Sequence, residues 1–525
     1  MNEPVTSPHH QAHTPDVDLD TSVSELVRHW ARHRGDEIAY RSADHSATWA
    51  QYDAYADWIA TQLTGDEFGG PVAVFVPDSP DFHAAMVGLY RAGRLAVAIG
   101  ARSGAAEVRS IMQRSGAHTL LMAEWDQRRT PAEFLEELAA LDFVPGDTLT
   151  VDMRQPIPDV AAISPHTDLF TTTDVSMLNC TSGTTGLPKL VQQTQRRWLA
   201  FAERAIANGR LTTAETIAAF VPAPYGFGLW TSHFLPAILG RTALVLPRFD
   251  ANTANSLLAT HRATVLAAVS TQFRMMLRAR ATPLQDVHSL RVMFTGGEAV
   301  PYDDAREFEE VTGAKVLQFY GSNETGAASA TCVDDPDDVR LRSGGRVLPE
   351  MRVRILETEG GTGGGGVQRG QPAVNGPLMS PGYWNDDPAN AELFTTDGWM
   401  FLGDVVELSA DGIVSVVGRL ADLVIRGGKN ISAVEVEDAI RPHPSVEMVA
   451  VVGVPDQVLG ERVCAAITLA PGYSELTLDE LTTWMRASSI TRELLPEKLV
   501  ILDEMPIAPG GKIAKSTVAE VAMEK

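Results

Sequence analysis

The chain has 525 residues, of which 44% are hydrophobic and 21% are charged, and its formal net charge is −24. This length accommodates at least two core-forming domains, and the composition is that of an ordinary globular protein. An acidic surface repels nucleic-acid phosphates and anionic lipid, so we expect neither nucleic acid nor a membrane as a partner.

The N-terminal segment and the cysteines indicate the compartment. Residues 1–20 are rich in Pro, His, Asp and Thr, which predicts a disordered tail rather than a signal peptide or a histidine metal site. The three cysteines, Cys180, Cys332 and Cys464, are scattered and show no metal-ligand spacing. An odd number of such cysteines is typical of a reduced compartment, so we expect a cytoplasmic protein. The sequence contains no run of 18 apolar residues, so we expect no membrane-spanning helix.

Strand and helix patterns alternate from Val23 onward. The predicted elements are a helix from Ser24, a strand at 71–76, a helix from Phe82 to Tyr90, a short strand at 95–99, and strands at 242–246 and 264–269. Such alternation predicts α/β layers with largely parallel sheets. The glycine-rich run 360–370 predicts a solvent loop between strands, because no Lys-Ser or Lys-Thr follows it as in a phosphate loop.

The pattern changes near Gly418-Arg419. The predicted elements after it are a strand at 423–425, a helix from Ala433, a strand at 448–454, a helix from Leu476 and a strand at 499–502. About 100 residues is a common domain size. We therefore predict a large N-terminal domain of layered α/β structure, residues 21–419, and a small α+β domain, residues 420–525.

The most informative segment is the run Thr181-Ser-Gly-Thr-Thr-Gly-Leu-Pro-Lys189. Gly183 and Gly186 let the backbone turn tightly and bring its N–H groups close to a ligand. The hydroxyl side chains come from Thr181, Ser182, Thr184 and Thr185. With the positive charge of Lys189 they suit a polyphosphate. The run is not a Walker A motif, which needs Gly-x-x-x-x-Gly-Lys-Ser/Thr, and a plain hydroxyl-rich turn is the structural alternative.

The same run resembles the phosphate-binding signature of the adenylate-forming superfamily. That superfamily comprises acyl- and aryl-CoA ligases, adenylation domains of peptide synthetases, and beetle luciferases. The resemblance extends from about Val23 to Lys515, because further motifs follow in the family's order. It implies an AMP-binding domain followed by a mobile C-terminal domain, with ATP and Mg²⁺ as cofactors.

The segment Gln318-Phe-Tyr-Gly-Ser-Asn-Glu324 resembles the family's Tyr-Gly-x-Thr-Glu motif. The resemblance implies that Tyr320 stacks on adenine beside Gly321 and that Glu324 helps to hold Mg²⁺, since a hard cation prefers carboxylate oxygen. Asn323 stands where the family usually has Thr, and its amide can still hydrogen-bond a phosphate. Upstream, Thr295-Gly-Gly-Glu-Ala resembles the turn that lines the adenine pocket, which assigns Gly297 and Glu298 to nucleotide binding.

Two motifs near the predicted domain boundary resemble the family's ribose-binding elements. Gly398-Trp-Met-Phe-Leu-Gly-Asp404 implies that Asp404 accepts hydrogen bonds from the ribose hydroxyls. Gly418-Arg419-Leu-Ala-Asp422 implies that Arg419 contacts the ribose or a phosphate. Leu402 replaces the usual Thr, and Ala421 falls on the hinge residue, which in the family is usually Asp or Lys.

The last motifs resemble those of the family's mobile domain. Arg426-Gly-Gly-Lys-Asn430 resembles the loop that approaches the pantetheine arm of the thiol acceptor, which assigns Gly427 and Gly428 to cofactor binding. Pro509-Gly-Gly-Lys512 resembles the last motif, with Lys512 at the catalytic lysine. Attack of a carboxylate on a phosphate builds negative charge, which an ammonium stabilises. The catalytic residues implied are Lys512, Glu324 and Lys189.

The acid pocket is expected near residues 222–230 and the helix 271–276. The residues assigned to the acid are Tyr225, Gly226, Phe227 and Gln272, and Tyr225 stands where members often carry an aromatic or His gate. The segment 220–233 has no Asp to hold an ammonium and no Asn for a siderophore aryl acid, which leaves an uncharged aromatic or alkyl acid. In the alternative interpretation Tyr225, Phe227 and Trp230 are ordinary core aromatics. Arg274 could pair with a second carboxylate or a phenolate of the acid, but we expect an exposed helix residue there.

These residues predict an ATP-dependent ligase that forms an acyl-AMP from a small carboxylic acid and passes the acyl group to a thiol. Coenzyme A is the expected acceptor, because it is the family's commonest. A carrier-protein phosphopantetheine in secondary metabolism is the alternative. A luciferase-like oxidoreductase shares the motifs, whereas a non-catalytic relative would lack the equivalents of Lys512 or Glu324.

Overall fold

The computed structural model describes residues 17–64, 69–125, 129–157, 168–180, 189–298, 300–357, 367–427, 429–488, 490–508 and 512–524. Some of the predicted features lie outside the described residues. They are the tail up to residue 16, the phosphate-binding residues from Thr181 to Gly186, Gly428, and the glycine-rich run from 360 to 366.

Strands are numbered in chain order. They are β1 (Ile38–Arg41), β2 (Ser46–Thr48), β3 (Val72–Phe75), β4 (Ala96–Ala98), β5 (Thr119–Ala123), β6 (Asp147–Val151), β7 (Val175–Cys180), β8 (Leu190–Thr194), β9 (Ile217–Ala219), β10 (Ala243–Val245), β11 (Val265–Ala267), β12 (Val292–Gly296), β13 (Lys315–Ser322), β14 (Gly326–Ala330), β15 (Arg346–Val347), β16 (Arg352–Glu357), β17 (Gln368–Asn375), β18 (Met400–Phe401), β19 (Asp404–Leu408), β20 (Val414–Arg419), β21 (Leu423–Arg426), β22 (Lys429–Ser432), β23 (Val446–Asp456), β24 (Gly460–Leu469) and β25 (Lys498–Ile501). The glycine-rich run was predicted as a loop as far as Gly370, and this is wrong at its end, because residues 368–370 pair with β16 and β19 as part of β17.

Helices are numbered in the same way. They are α1 (Val23–His33), α2 (Trp49–Leu63), α3 (Pro80–Arg91), α4 (Ala105–Ser115), α5 (Pro131–Ala139), α6 (Gln195–Gly209), α7 (Gly226–Leu229), α8 (Leu235–Leu239), α9 (Ala251–Thr260), α10 (Ser270–Arg278), α11 (Tyr302–Thr312), α12 (Asp337–Arg342), α13 (Asp387–Leu393), α14 (Ala433–Ile440), α15 (Leu478–Ala487) and α16 (Lys515–Glu524). The helix predicted from Leu476 begins two positions later, because the Thr477 side chain accepts a hydrogen bond from Glu480 N and caps it. No described helix is long and apolar enough to cross a membrane.

The large N-terminal part of the chain is built on two sheets with parallel interiors, counted over the described residues. One has the order β15-β14-β13-β12-β11-β9-β10-β1-β2, and the other has the order β6-β5-β3-β4-β7-β8. All neighbours from β1 to β13 in the first sheet and from β6 to β7 in the second are parallel. Antiparallel pairs occur at both edges of the first sheet and at the β8 edge of the second. Short apolar strands such as Val72–Phe75 are buried along their whole length, as parallel sheets covered on both faces require.

Helices between these two sheets join them into one core. Every residue of α3 is buried, and α3 contacts both α2 and the second sheet. The cluster of buried apolar side chains therefore contains Val74 and Ala98 from the second sheet together with Ile217 and Val245 from the first. The carboxyl ends of β7, β12 and β13 carry the motif residues, which is where ligands bind in open α/β sheets.

The chain then passes through an antiparallel sheet into a separate small sheet. The antiparallel sheet has the order β16-β17-β19-β20, with β18 against β17. It ends at Arg419, and the last sheet, with the order β22-β21-β24-β23 and β25 against β24, begins at Leu423. This last sheet has cores of its own, formed with α14, α15 and α16. The predicted α/β class, with a large N-terminal part and a small C-terminal domain, is confirmed.

Candidate active site

Lys189 lies where β7 and β8 meet at one end of their sheet. Cys180, the last residue of β7, pairs with Leu190, the first residue of β8, so Lys189 lies next to this end of the pair. The Lys189 ammonium lies 4.8 Å from the centre of the Tyr383 ring. The Tyr383 hydroxyl in turn donates a hydrogen bond of 2.8 Å to Oε1 of Glu324. Tyr383 therefore stands between two residues that we predict to be catalytic.

Burial and the neighbouring Glu324 both raise the pKa of the Tyr383 hydroxyl, so it keeps its proton and donates. Glu324 Oε1 is thereby used, while Oε2 accepts no hydrogen bond from the described residues. A carboxylate held at one oxygen and open at the other fits the predicted role of a ligand to a hard cation.

Tyr320, Asp404 and Arg419 form a hydrogen-bonded chain, although 84 residues separate the first two in sequence. The Tyr320 hydroxyl donates to Asp404 Oδ2 at 3.0 Å, and Arg419 Nε donates to Asp404 Oδ1 at 3.3 Å. Tyr320 is buried, and burial with the adjacent carboxylate raises its pKa well above the ordinary value. The carboxylate of Asp404 is thus oriented from both sides. Gly321 follows Tyr320 in β13, and its backbone packs so closely on Gly326 that no side chain fits there.

The turn after β12 brings Lys512 of the C-terminal domain against the large domain. Gly297 has φ +80°, and its carbonyl oxygen accepts a hydrogen bond from Lys512 Nζ. The neighbouring Glu298 accepts a hydrogen bond of 2.8 Å from Ser270 N at the start of α10, where the helix dipole favours a carboxylate. Removal from water lowers the pKa of Lys512, Glu298 opposes this, and Arg419 adds to it. The predicted catalytic lysine therefore lies among the predicted nucleotide-binding residues.

The residues predicted to bind the acid begin with the segment 222–227, which we call the gate turn. The Tyr225 ring lies against Gly100, where any side chain would collide with the Tyr225 hydroxyl, and burial raises the pKa of that hydroxyl. A side chain at Gly226 would place its Cβ 2.7 Å from Oδ1 of Asn323 and 2.9 Å from the Trp198 ring. The gate turn is thus fitted closely between the second sheet and the nucleotide motif.

Phe227 and Trp230 differ in their surroundings. Trp230 is buried, and its ring centre lies 4.8 Å from that of Phe201 and 5.5 Å from that of Phe319. Phe227 is only half buried and stacks on Trp230, with ring centres 5.9 Å apart. Trp230 is therefore part of the core, as the alternative interpretation had it, whereas Phe227 covers the exposed edge of this aromatic cluster.

The predicted residues on α10 make contacts within the protein. Gln272 donates from Nε2 to Phe220 O at 2.7 Å and accepts at Oε1 from Val269 N at 3.1 Å, so its amide is engaged by backbone at both ends. Arg274, which was expected to be an exposed helix residue, is instead almost fully buried and pairs with Asp304 on α11. The ion pair with Asp304 offsets part of the hydration that Arg274 loses on burial, so the guanidinium is not left as an unpaired buried charge.

Two residues of the site, Tyr383 and Asn179, belong to none of the motifs above and were not predicted from the sequence. Tyr383 lies in the turn Ser380-Pro-Gly-Tyr, whose proline and glycine mark a turn but do not show what it touches. Asn179, the penultimate residue of β7, exchanges a pair of hydrogen bonds with Asn323. The one sequence signal was an amide residue in a mainly apolar strand that also contains Ser176.

The sequence matches known proteins over most of its length. Residues 27–384 match the family model described as AMP-binding enzyme, and residues 435–512 match that of the AMP-binding enzyme C-terminal domain. The chain is 29% identical over 522 residues to a salicylyl-CoA synthase / salicylate adenylyltransferase of Streptomyces sp, covering 96% of this chain and 94% of that protein. It is 28% identical over 514 residues to the salicyl-AMP ligase / salicyl-S-ArCP synthetase of Mycobacterium tuberculosis, covering 95% and 90% respectively.

A solved structure has the same fold. The anthranilate CoA ligase AuaEII in complex with anthranoyl-AMP superposes with a TM-score of 0.85 at 20% identity. The superposition covers 97% of this chain and 98% of that one.

Proposed function

The chain belongs to the family of AMP-binding enzymes, and from that premise we propose that it activates a small carboxylic acid with ATP as an acyl-AMP and then passes the acyl group to a thiol. The observation that carries the proposal is the contact of Lys512 with Gly297, beside Glu298, Asp404 and Arg419. This contact places the Lys512 ammonium at the nucleotide site, where it can offset the repulsion between the acid's carboxylate and the phosphates of ATP.

In the first step, an oxygen of the acid's carboxylate forms a bond to the α-phosphorus of ATP. The bond from that phosphorus to the bridging oxygen breaks, and pyrophosphate leaves with the electron pair. Lys512 offsets the charge that builds on the α-phosphate oxygens, and Lys189 offsets the charge of the departing phosphates. Glu324 would hold Mg²⁺, and the bound cation would supply further charge neutralisation at the phosphates.

In the second step, the sulfur of a thiol, having released its proton as the thiolate, forms a bond to the carbonyl carbon of the acyl-AMP. The bond from that carbon to the phosphate oxygen breaks, and AMP leaves with the electron pair. We propose coenzyme A as the acceptor, and a carrier-protein phosphopantetheine remains the alternative, since the relatives include both a salicylyl-CoA synthase and a salicyl-S-ArCP synthetase. We propose that the domain of residues 420–525 turns relative to residues 21–419 between the steps, so that Gly427 and Gly428 replace Lys512 at the site.

The proposed acid is small and carries no charge besides its carboxylate. Gly226 offers no side chain for an ammonium, and Arg274 is already paired with Asp304, so it is not available to a second carboxylate. Tyr225, Phe227 and the aromatic cluster behind them favour an apolar acyl group. We propose a cytoplasmic protein, since the cysteines among the described residues are free thiols, with Cys180 and Cys464 buried.

The test is product analysis with purified protein, ATP and Mg²⁺ over aryl, alkyl and amino acids, each with coenzyme A or with a phosphopantetheinylated carrier protein. Mass spectrometry should find an acyl-AMP with at least one uncharged aryl or alkyl acid, and a thioester once the acceptor is added. Thioester formation on the carrier protein alone would move the assignment to the alternative acceptor. Oxygen uptake dependent on the adenylate would instead indicate a luciferase-like oxidation.

A further inference from the structure

Asn179 is a fully buried amide whose four hydrogen-bonding positions are all used. Its Nδ2 donates to Asn323 Oδ1 at 3.0 Å and to Pro224 O at 3.1 Å. Its Oδ1 accepts from Asn323 Nδ2 at 2.7 Å and from Gln193 Nε2 at 2.7 Å. A fully satisfied buried amide fixes the spacing of the groups that it joins, because each partner would be left unpaired if it moved away.

These partners belong to segments that the proposed reaction must keep aligned. Pro224 lies in the gate turn on the acid side, and Asn323 lies in the nucleotide motif directly before Glu324. Asn179 itself is followed, after Cys180, by the predicted phosphate-binding run. The Asn179 side chain therefore contacts both the backbone of the gate turn, at Pro224, and the nucleotide motif, at Asn323. It does so from β7, the strand that precedes the predicted phosphate-binding run.

Gly226 makes room for this arrangement. A Cβ at position 226 would lie 2.7 Å from Asn323 Oδ1, the atom that accepts from Asn179. The reciprocal Asn179–Asn323 pair thus depends on the absence of a side chain at position 226. On its other side the gate turn is held by Asp78, whose Oδ2 accepts a hydrogen bond of 2.9 Å from Ala223 N.

Gln193, which donates to Asn179 Oδ1 and also to Asn323 Oδ1 at 3.3 Å, connects this hydrogen-bond network to α6. Its Oε1 accepts hydrogen bonds from Trp198 Nε1 at 3.0 Å and from Arg197. Arg197 also donates to the backbone carbonyls of Asn323 and Glu324 at 3.1 Å. The backbone on which Glu324 stands is therefore fixed through the same buried network that holds Pro224.

We propose that Asn179 is a positioning residue that couples the gate turn to the nucleotide motif, so that filling the nucleotide site orders the acid side. The coupling has a catalytic meaning only if the proposed adenylation takes place, but it also has a physical consequence without any acid present. Binding of Mg·ATP at Tyr320 to Glu324 should reduce the motion of residues 222–229 in the wild type, and this effect should require Asn179.

The test is hydrogen–deuterium exchange of peptides covering residues 222–229, with and without Mg·ATP. In the wild type we expect Mg·ATP to slow exchange by about threefold or more. In Asn179→Leu we expect no slowing in these peptides, while the peptides of the nucleotide motif are still protected. The matched control is Asn255→Leu, since Asn255 is also fully buried and donates to Met276 O at 2.9 Å and Thr282 O at 2.8 Å, away from the gate turn.

Kinetics separate positioning from mere stability. Carboxylate-dependent ATP–pyrophosphate exchange should lose about tenfold or more in kcat/KM for the acid in Asn179→Leu, because a small misplacement of reactants is costly, with the KM for ATP changed little. Asn255→Leu should lower Tm to a similar extent and leave these constants near those of the wild type. If Asn179→Leu does not fold, Gly226→Ala separates the same pair and should abolish the same slowing.

Two results would overturn the coupling: no effect of Mg·ATP on residues 222–229 in the wild type, or an undiminished effect in Asn179→Leu. A wild type that forms no acyl-AMP with any acid, yet transmits the effect of Mg·ATP through Asn179, would refute the proposed reaction and leave the coupling standing. Equal kinetic losses in Asn179→Leu and Asn255→Leu would reduce Asn179 to a stabilising residue.

Discussion

Lys512 Nζ donates a hydrogen bond to the carbonyl oxygen of Gly297, across 215 residues of sequence. The lysine belongs to the C-terminal domain, and the glycine belongs to the turn after β12. Such a contact exists only while the small domain lies against this face of the large one. We therefore interpret the domain arrangement as the one expected for the adenylation step, for which we predict Lys512 to be the catalytic lysine.

Glu324→Gln should lower the rate of adenylation at saturating substrates by roughly a hundredfold or more, because a neutral amide binds Mg²⁺ more weakly than a carboxylate and offsets none of its charge. Tyr383→Phe removes one hydrogen bond to that carboxylate and should cost only about 1 kcal/mol, or roughly fivefold. Titration of activity with Mg²⁺ checks this, since Glu324→Gln should also need more Mg²⁺ for half-maximal rate. A Tyr383→Phe loss as large as that of Glu324→Gln would instead make Tyr383 a catalytic residue.

Asp404→Asn should remove the discrimination between ATP and 2′-deoxy-ATP. The carboxylate is oriented by Tyr320 and Arg419 and should accept from the ribose hydroxyls, which the amide does less well. Tyr320→Phe keeps the ring and should raise the KM for ATP by about fivefold, corresponding to about 1 kcal/mol. Steady-state kinetics with both nucleotides decide the point. An Asp404→Asn enzyme that still prefers ATP as strongly as the wild type would exclude a ribose contact at Asp404.

Asp78→Asn should flatten the dependence of stability on pH. Asp78 is buried beside His83, with 3.1 Å between Oδ1 and Nε2, and burial raises its pKa to about 8. The folded state therefore keeps a proton that the unfolded chain releases above about pH 4, so this group's contribution to stability falls as pH rises from about 4 to about 8. The asparagine, which does not titrate, should lose that fall.

The informative window for Asp78 lies above pH 6.5. Burial lowers the pKa of His83 to about 3, which gives a stability contribution of opposite slope that fades above about pH 6.5, where the unfolded histidine is more than half neutral. Urea unfolding between about pH 6.5 and 8 should show a difference in slope of up to about 1.4 kcal/mol for each pH unit. Identical slopes would mean that Asp78 is ionised in the folded protein.

Lys515→Met should destabilise the C-terminal domain. The Lys515 ammonium lies 2.8 Å from Glu437 Oε1 and 3.2 Å from Asp422 Oδ2, and its removal leaves two partly buried carboxylates unpaired. We expect a loss of about 2 to 3 kcal/mol, below the value for a fully buried pair. Arg441→Met, which removes an ion pair with the exposed Asp438, is the control and should cost less than about 0.5 kcal/mol. Scanning calorimetry of the full chain should show the difference, and equal shifts in Tm would contradict it.

Periodicity and motifs predicted different parts of this molecule. The strands and helices predicted from apolar patterns lie within about two residues of the observed ones, because alternation and amphipathic spacing are local properties. The grouping of Tyr320, Asp404 and Arg419 came from the family resemblance, since their separation in sequence gives no physical reason for them to meet. Their roles stay predictions that the variants above test.

The sequence did not predict which side chains from different elements contact each other. Tyr383 contacts Glu324 because the chain after β17 of the antiparallel sheet returns to β8, where Tyr383 pairs with Val191. Arg274 is buried because α11 brings Asp304 to it, and Gln272 is engaged because β9 ends beside α10. A side chain's partners depend on which elements become neighbours, and no pattern within one element contains that information.

Carboxylate-dependent ATP–pyrophosphate exchange in the wild type and in Lys512→Ala measures most directly whether Lys512 drives adenylation of a carboxylic acid. We expect exchange with at least one uncharged aryl or alkyl acid, and a loss of about a hundredfold to a thousandfold in Lys512→Ala while Mg·ATP still binds. Exchange that persists at the wild-type rate in Lys512→Ala would contradict the catalytic assignment. Failure of the wild type to bind Mg·ATP at all would contradict the ligase itself.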